Sequence, residues 1–340
     1  MNKKLIFFII LVIVVLLIGF WIFKPRFAGK NNGPEPALVQ PITEQGSINI
    51  YFCPYQNCSV HLIDALEQAQ ASIDCGLYDM NLRSVADVLS KKAGSMPVRI
   101  VFDNDNEKHV QDLNSKFSYK FDNDNQLSHN KFCVIDNRLV TTGSMNPTLR
   151  DDQMNNNNLL ILQSQYFAQN YEDEFQELWA GKFGTGSKVR YPDIVLNGIH
   201  FKNYFCPEDK CEQHVIDTIS HAHNTVYFMT FSFTSVQIAD AILTNKQLTD
   251  VKGIFEKSQL SKYSQYERLK GFGLDVKIDG NKYNLHHKVF IIDNETVITG
   301  SYNPTTGGDE KNDENIVIIH DKNIARMYLE DFGKVYSLGT

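Results

Sequence analysis

Two stretches of this chain carry the same chemistry-bearing residues at the same spacing. HNKFCVIDNRLVTTGSMN occupies residues 129–146, and HHKVFIIDNETVITGSYN occupies residues 286–303. Each reads H-x-K, four residues, Asp, six residues, G-S-x-N, and the copies lie 157 residues apart. A histidine offers a nucleophile or a proton-transfer group. A lysine two residues further along an extended strand leaves the same face, so imidazole and ammonium point together. Gly-Ser-x-Asn adds hydroxyl and amide donors. Brought around one cavity, His129, Lys131, Ser144 and Asn146 would face His286, Lys288, Ser301 and Asn303. Several positive donors around one reacting centre suit a phosphoryl group better than a carbonyl.

The elements that must hold these residues follow from the apolar pattern. The run after Lys131 is apolar, bends at Asp136-Asn137, and is apolar again, which predicts a hairpin. Asp136 and Asp293 lie in the apolar run before the turn, so they read as hairpin-fixing residues through backbone hydrogen bonds, not as catalysts. Ahead of the first hairpin the chain reads strand, loop, amphipathic helix (VHLIDALEQAQ), buried strand (SIDCGLYD), helix (LRSVADVLSKKAG) and strand (VRIVFD). After it come a strand (NNNNLLILQ) and a helix (QYFAQNYEDEFQELWAG). The second half repeats this order, with NYFCPEDKC matching YFCPYQNC and TVYFMTFSF matching SIDCGLYDM. The offset is 153 residues up to Val98 and Val251 but 157 at the motif, so four residues are added between. Two long copies indicate duplication of one α/β unit and not a solenoid. Such copies pack as an isologous dimer does, about a pseudo-twofold axis. The expected architecture is α/β: tandem repeats over 47–183 and 198–340, each a mixed sheet flanked by helices, joined by a hinge at 184–197.

The duplicated H-x-K(x4)D(x6)G-S-x-N resembles the signature of the phospholipase D superfamily, and the resemblance extends over residues 47–340. The second half is similar to that superfamily's small bacterial endonucleases, notably in residues 232–243, 261–279 and 300–319. The resemblance implies phosphodiester hydrolysis in two displacements. One histidine attacks phosphorus to give a phosphohistidine; the other protonates the leaving oxygen and then activates water. Lys131 and Lys288 would supply positive charge, so neither a metal nor any other cofactor is implied. Ser144, Asn146, Ser301 and Asn303 would hold the phosphate and the lysines. The active site would lie on the axis, and a chain carrying both halves would work as a monomer with an internal pseudo-dimer.

Within this resemblance Glu314 falls where an acid that orients a catalytic histidine is expected, and Asn157 matches it in the first repeat. An amide fixes a tautomer but cannot stabilise an imidazolium by charge. Glu314 is therefore expected to make His286 the more basic histidine, with Asn157 grouped among the substrate-binding residues. His61, His214 and His287 are expected to take no part.

The N-terminus and the overall charge bound the setting. Residues 5–23 form an apolar run of 19, long enough to span a bilayer, with no small-x-small cleavage site after Phe23. The reading is a tail (1–4), a retained single-pass transmembrane anchor (5–23) with Trp21 at the interface, and a linker (24–46) rich in Pro, Gly and Asn. Lys3 and Lys4 precede the span while Lys24, Arg26 and Lys30 follow it, so charge does not set orientation; a short tail before a large domain favours an extracytoplasmic catalytic region. Cys53/Cys58 and Cys206/Cys211 are matching C-P-x3-C pairs, one opening each repeat. Disulfides in an oxidising compartment, four zinc thiolates gathered across the repeats, and reduced packed thiols all fit that spacing. Beyond residue 30 the chain holds 28 basic and 40 acidic residues. That balance excludes a broad basic face, so a polyanion must be held by a local electropositive cleft. The expected function is a membrane-anchored phosphodiesterase, foremost a nuclease acting on DNA or RNA, with a phospholipase D or phosphatidyltransferase acting on phospholipids as the alternative. Intact chemistry in both motifs weighs against a non-enzymatic binding protein.

Overall fold

A computed structural model describes residues 41–340 apart from 114 and 124. The apolar run 5–23 and the linker up to residue 40 lie outside the described residues, and among the described residues no helix is long and apolar enough to cross a membrane. The first half of the described chain contributes β1 (Ile42–Glu44), β2 (Ser47–Cys53), β3 (Ile73–Leu77), β4 (Val98–Phe102), β5 (Ser118–Phe121), β6 (Lys131–Ile135), β7 (Leu139–Gly143) and β8 (Asn157–Gln163). The second contributes β9 (Asp193–Leu196), β10 (Ile199–Cys206), β11 (Thr225–Thr230), β12 (Asp250–Phe255), β13 (Asp275–Ile278), β14 (Lys288–Ile292), β15 (Thr296–Gly300) and β16 (Glu314–His320).

The strands form two mixed sheets of matching order. One runs β2-β8-β7-β6-β3-β4-β5; the other runs β10-β16-β15-β14-β11-β12-β13, extended at its edge by β9 and β1. In both, the last three strands are parallel and the remainder of the shared order is antiparallel. β1, in the stretch read as linker, pairs in parallel with β9, in the stretch read as hinge. Both stretches thus extend the edge of the second sheet.

The predicted hairpin is β6–β7, and its copy is β14–β15. Asp136 and Asn137 take φ of 54° and 47°, and Asp293 and Asn294 take 53° and 57°. This positive-φ pair is what a two-residue hairpin turn requires, and Asn and Asp tolerate it best after glycine. The Asp136 carboxylate accepts the backbone N–H groups of Gln70, Ala71 and Ser72 at 2.7–3.0 Å. Asp293 does the same for His223, Asn224 and Thr225. The motif aspartates therefore do fix backbone, but that of the loop entering β3 or β11, not their own hairpin.

Alternation along β6 sends Phe132 and Val134 to one face and Cys133 and Ile135 to the other. The inner face meets a core shared by both repeats, which includes Val289 and Ile291 of β14 and two long helices. In Gln165–Trp179, the buried Phe167, Ala168, Tyr171, Phe175 and Leu178 recur at helical spacing, and the Ser164 hydroxyl caps the N–H of Phe167. Lys322–Leu338 repeats the device with Ile324, Ala325, Tyr328, Phe332 and Val335 behind an Asp321 cap. The outer faces bury separate cores under the helices Cys58–Glu67 and Arg83–Lys92, and under Cys211–Ser220 and Val236–Thr244. At Gly253, paired across the sheet with Phe228, an added Cβ would fall 2.0 Å from that ring.

All six cysteines pair. Cys53–Cys58 and Cys206–Cys211 close the C-P-x3-C loops, with Cα–Cα 5.6 Å in each, which selects the disulfide among the three readings of that spacing. Cys75–Cys133 joins β3 to β6 at a directly opposed register position. That third bridge was not foreseen, because nothing local marks two cysteines 58 residues apart as partners.

Candidate active site between the repeats

Each H-x-K begins just ahead of a central strand. Lys131 is the first residue of β6 and Lys288 the first of β14, and each ammonium donates to the carbonyl of its own histidine, at 2.6 and 2.9 Å. The histidines then leave their own sheets and bridge to the opposite repeat. The His129 N–H donates to the Asp313 carbonyl and the His286 N–H to that of Asn156. Isolated parallel bridges at Ser128–Asp313 and Asn156–Leu285 complete the reciprocal crossing. In each repeat a buried acid prepares that crossing: Asp103 accepts the N–H of Ser128 at 3.0 Å, and Glu256 that of Leu285 at 2.8 Å.

The crossing decides which groups stand behind the imidazoles. His129 Nδ1 lies 2.8 Å from Glu314 Oε2, and His286 Nδ1 lies 2.8 Å from Asn157 Oδ1. The expected service of His286 by Glu314 is therefore corrected: the carboxylate of the second repeat serves the histidine of the first. Asn157 is fully buried behind His286, not on the substrate side where it was grouped. Its Nδ2 donates to the Asp151 carbonyl at 3.1 Å, which leaves its oxygen facing the ring.

The electrostatics follow from burial. His129 and His286 expose only 6% and 8% of their surface, so a reacting group must enter a narrow opening. Burial, together with Lys131 and Lys288, pulls His129 well below the usual imidazole range, and the same burial and lysines do so for His286. That both lysines act on both histidines means the two H-x-K pairs occupy one site. Burial also pulls Lys131 down to about 8, against Glu314 and Asp151, and pulls Lys288 well below the ordinary lysine range. The Glu314 carboxyl is pushed up to about 8 by burial, with Lys131 and Lys288 opposing. The His129–Glu314 pair therefore keeps a proton through neutral pH.

Other expected residues take supporting places. Ser144 and Ser301 are fully enclosed; their hydroxyls accept the N–H of Asn158 and of Asn315, at 3.0 and 2.9 Å, clamping β8 and β16. Asn146 Nδ2 donates to Asp151 at 2.7 Å, while Asn303 remains partly exposed at the matching position. Tyr78 packs edge-on against His129 and Phe231 against His286, ring centroids 4.8 Å apart in both. His61 and His214 stack on Tyr51 and Tyr204, and His287 is buried with Nε2 3.0 Å from Asp331. Asp151, 4% exposed and 3.5 Å from His286 Nδ1, was missed; its signal in the sequence is a mismatch, since the aligned residue of the second repeat is Gly308.

Comparison with known proteins points the same way. The family described as cardiolipin synthase, PLD-like domain, matches the chain over residues 62–179 and 215–336. A protein named phospholipase D from Rickettsia felis is 34% identical over 131 residues, 38% of this chain and 65% of that protein. The mitochondrial cardiolipin hydrolase of Mus musculus is 31% identical over 117 residues, 34% of this chain and 53% of that protein. Among solved structures, phosphatidylserine synthase from Haemophilus influenzae superposes with a TM-score of 0.63 at 12% identity, covering 84% of this chain and 85% of that one. At that identity the likeness is one of fold.

Proposed function

The chain belongs to the phospholipase D superfamily, and from that premise we propose that it is a metal-independent nuclease. It cleaves DNA or RNA phosphodiesters through a phosphohistidine, tethered to a membrane by residues 5–23 and working as a monomer outside the cytoplasm. The observation that carries the chemistry is the crossed pairing of the two histidines with unlike partners. His286 donates Nδ1–H to the Asn157 oxygen, which leaves Nε2 with its lone pair free to attack phosphorus. The His129–Glu314 pair holds the proton that the leaving oxygen requires, on the carboxyl at rest and delivered through the imidazole. As the P–O bond breaks, that proton moves to the leaving group and the phosphoryl group stays on His286. His129, its pair with Glu314 now one proton short, deprotonates a water that attacks phosphorus; the P–N bond breaks and His286 is regenerated. Lys131 and Lys288 face the negative charge that develops on the phosphoryl oxygens. A bound phosphate also restores to these buried lysines the charge that burial disfavours, so substrate binding and their protonation are coupled.

A polyanionic substrate is supported by an asymmetry beside the site. Residues 257–283, which lead into His286, hold six basic and three acidic residues, whereas the matching residues 104–126 hold three basic and five acidic. Within that stretch Tyr263 is 66% exposed with the Lys262 ammonium 4.9 Å from its ring, a pairing suited to stacking on a base while contacting phosphate. The three disulfides support an oxidising compartment. A phospholipid substrate is the second reading, favoured by the apolar run 5–23 and by the lipid-acting names of the relatives.

The test is direct. Purified full-length protein in excess EDTA should degrade single-stranded or plasmid DNA, or RNA, and His286→Asn should abolish the activity. Headgroup release from phosphatidylcholine or phosphatidylglycerol without nucleic-acid cleavage would replace the nuclease reading by the lipid one.

A further inference from the structure

The two histidines differ in more than the Glu314/Asn157 exchange. One turn ahead of Asn157, on the short helix Leu149–Gln153, the first repeat carries Asp151 where the second carries Gly308. The substitution could not run the other way unaided. A Cβ on Gly308 would fall 2.4 Å from the Asn303 carbonyl oxygen, so that turn has no room for a side chain. Each repeat thus buries one carboxylate near the opposite histidine, but from different positions: Glu314 from the head of β16, Asp151 from the turn after G-S-x-N.

Asp151 is held firmly in that place. Oδ2 accepts from Asn146 N and Nδ2 at 2.9 and 2.7 Å, and Oδ1 accepts from Asn155 Nδ2 at 2.6 Å. Oδ2 stands 3.5 Å from His286 Nδ1. The backbone carbonyl of the same residue accepts from Asn157 Nδ2 and so keeps the Asn157 oxygen on His286. Burial pushes the Asp151 carboxyl up, but His286 and the amides of Asn146 and Asn155 outweigh it and hold it below the usual carboxylate range. The charged groups bearing on His286 are Lys288 on its own strand, Asp151 from this turn, and Lys131 and His129 from the first repeat. Asp151 is the one anion among them.

We propose that Asp151 is the positioning residue of His286, a displaced counterpart of Glu314 that supplies the negative charge Asn157 lacks and orients the Asn157 amide. The inference deepens the phosphodiesterase reading and rests on His286 being a reacting group, yet it can be measured without turnover. In full-length protein with 15N-labelled histidine, Asp151→Asn should move the His286 titration down by about 1 pH unit or more, or below the pH at which the fold is lost, and leave His129 nearly in place. Asn157→Asp should move His286 up, and Asp151→Asn combined with Asn157→Asp should return it to the wild-type pH or above. With bis(4-nitrophenyl) phosphate as substrate, Asp151→Asn should lower kcat about 10- to 100-fold with little change in KM, and the double variant should recover most of it. A His286 titration within about 0.2 pH unit of wild type in Asp151→Asn, or no upward movement on adding Asn157→Asp, overturns the inference. Should Asp151→Asn fail to fold, Asn157→Asp alone decides. A shifted titration in a protein that cleaves no phosphodiester would instead sink the proposed function and leave this inference standing.

Discussion

Glu314→Gln separates charge from shape at the imidazole of the first repeat. The substitution keeps the volume of the side chain but removes the ionisable carboxyl 2.8 Å from His129 Nδ1. When the shared proton passes to the imidazole the pair becomes carboxylate and imidazolium, which at that distance and an effective dielectric of about 20 attract by about 6 kcal/mol, an upper limit. Solvent entry and the new amide contact recover part of it, leaving a loss of about 3–6 kcal/mol, or about 10²- to 10⁴-fold in kcat. Asn157→Ala removes only a neutral contact to His286, worth about 1 kcal/mol and about fivefold in rate. The pH profile carries a second signature. Because the wild-type His129–Glu314 pair holds its proton to about 8, kcat/KM should decline above that pH, and Glu314→Gln should move the decline to lower pH. The assay is steady-state hydrolysis of a chromogenic phosphodiester between pH 5 and 10, with thermal melting to confirm that each variant is folded. Equal losses in the two variants, or an alkaline limb that stays where it was, would refute the division of labour between the histidines.

Three further outcomes follow from features away from the imidazoles. Asp136→Asn should lower stability at pH 7 by about 1–3 kcal/mol with kcat unchanged, since its carboxylate only ties down the loop entering β3. Its folded-state pKa is held low, because backbone N–H donors outweigh burial, so the stabilisation is present above the unfolded value and is lost as pH falls through the folded one; melts of wild type and variant should converge in acid. Replacing Cys75 and Cys133 together by serine should cost about 4 kcal/mol, against about 2 for either C-P-x3-C bridge, because the loops closed are 58 and 5 residues long; denaturant titration compares them. Lys262→Ala with Tyr263→Ala should weaken single-stranded DNA binding and flatten its salt dependence while leaving turnover of a small phosphodiester unchanged, and filter binding across a salt series would expose the opposite result.

Much of the site was legible before any coordinates. Residues two apart on a strand must share a face, so His129 with Lys131 and His286 with Lys288 were readable as pairs, and the matched order of elements predicted matched sheets. What stayed hidden depends on approach in three dimensions. Glu314 is nearer in sequence to His286 than to His129, and only the crossing at Ser128–Asp313 and Asn156–Leu285 sends it to the other repeat. The serines of G-S-x-N have the chemistry of phosphate ligands, yet their hydroxyls are spent on the next strand, a competition that residue type alone does not reveal. Cys75 and Cys133 become partners through register across β3 and β6, which no local pattern encodes. Asp151 was visible only as a disagreement between the copies, and disagreement carries meaning only once the copies are aligned.

A site built from two identical subunits receives every substitution twice, so an acid gained behind one imidazole is gained behind both. Here the halves share a single polypeptide, and Glu314 and Asp151 could settle at different distances from their histidines. Fusion thereby permits a standing inequality: one side can specialise in giving up a proton while its twin specialises in taking the phosphoryl load, a direction of travel that strict twofold symmetry forbids.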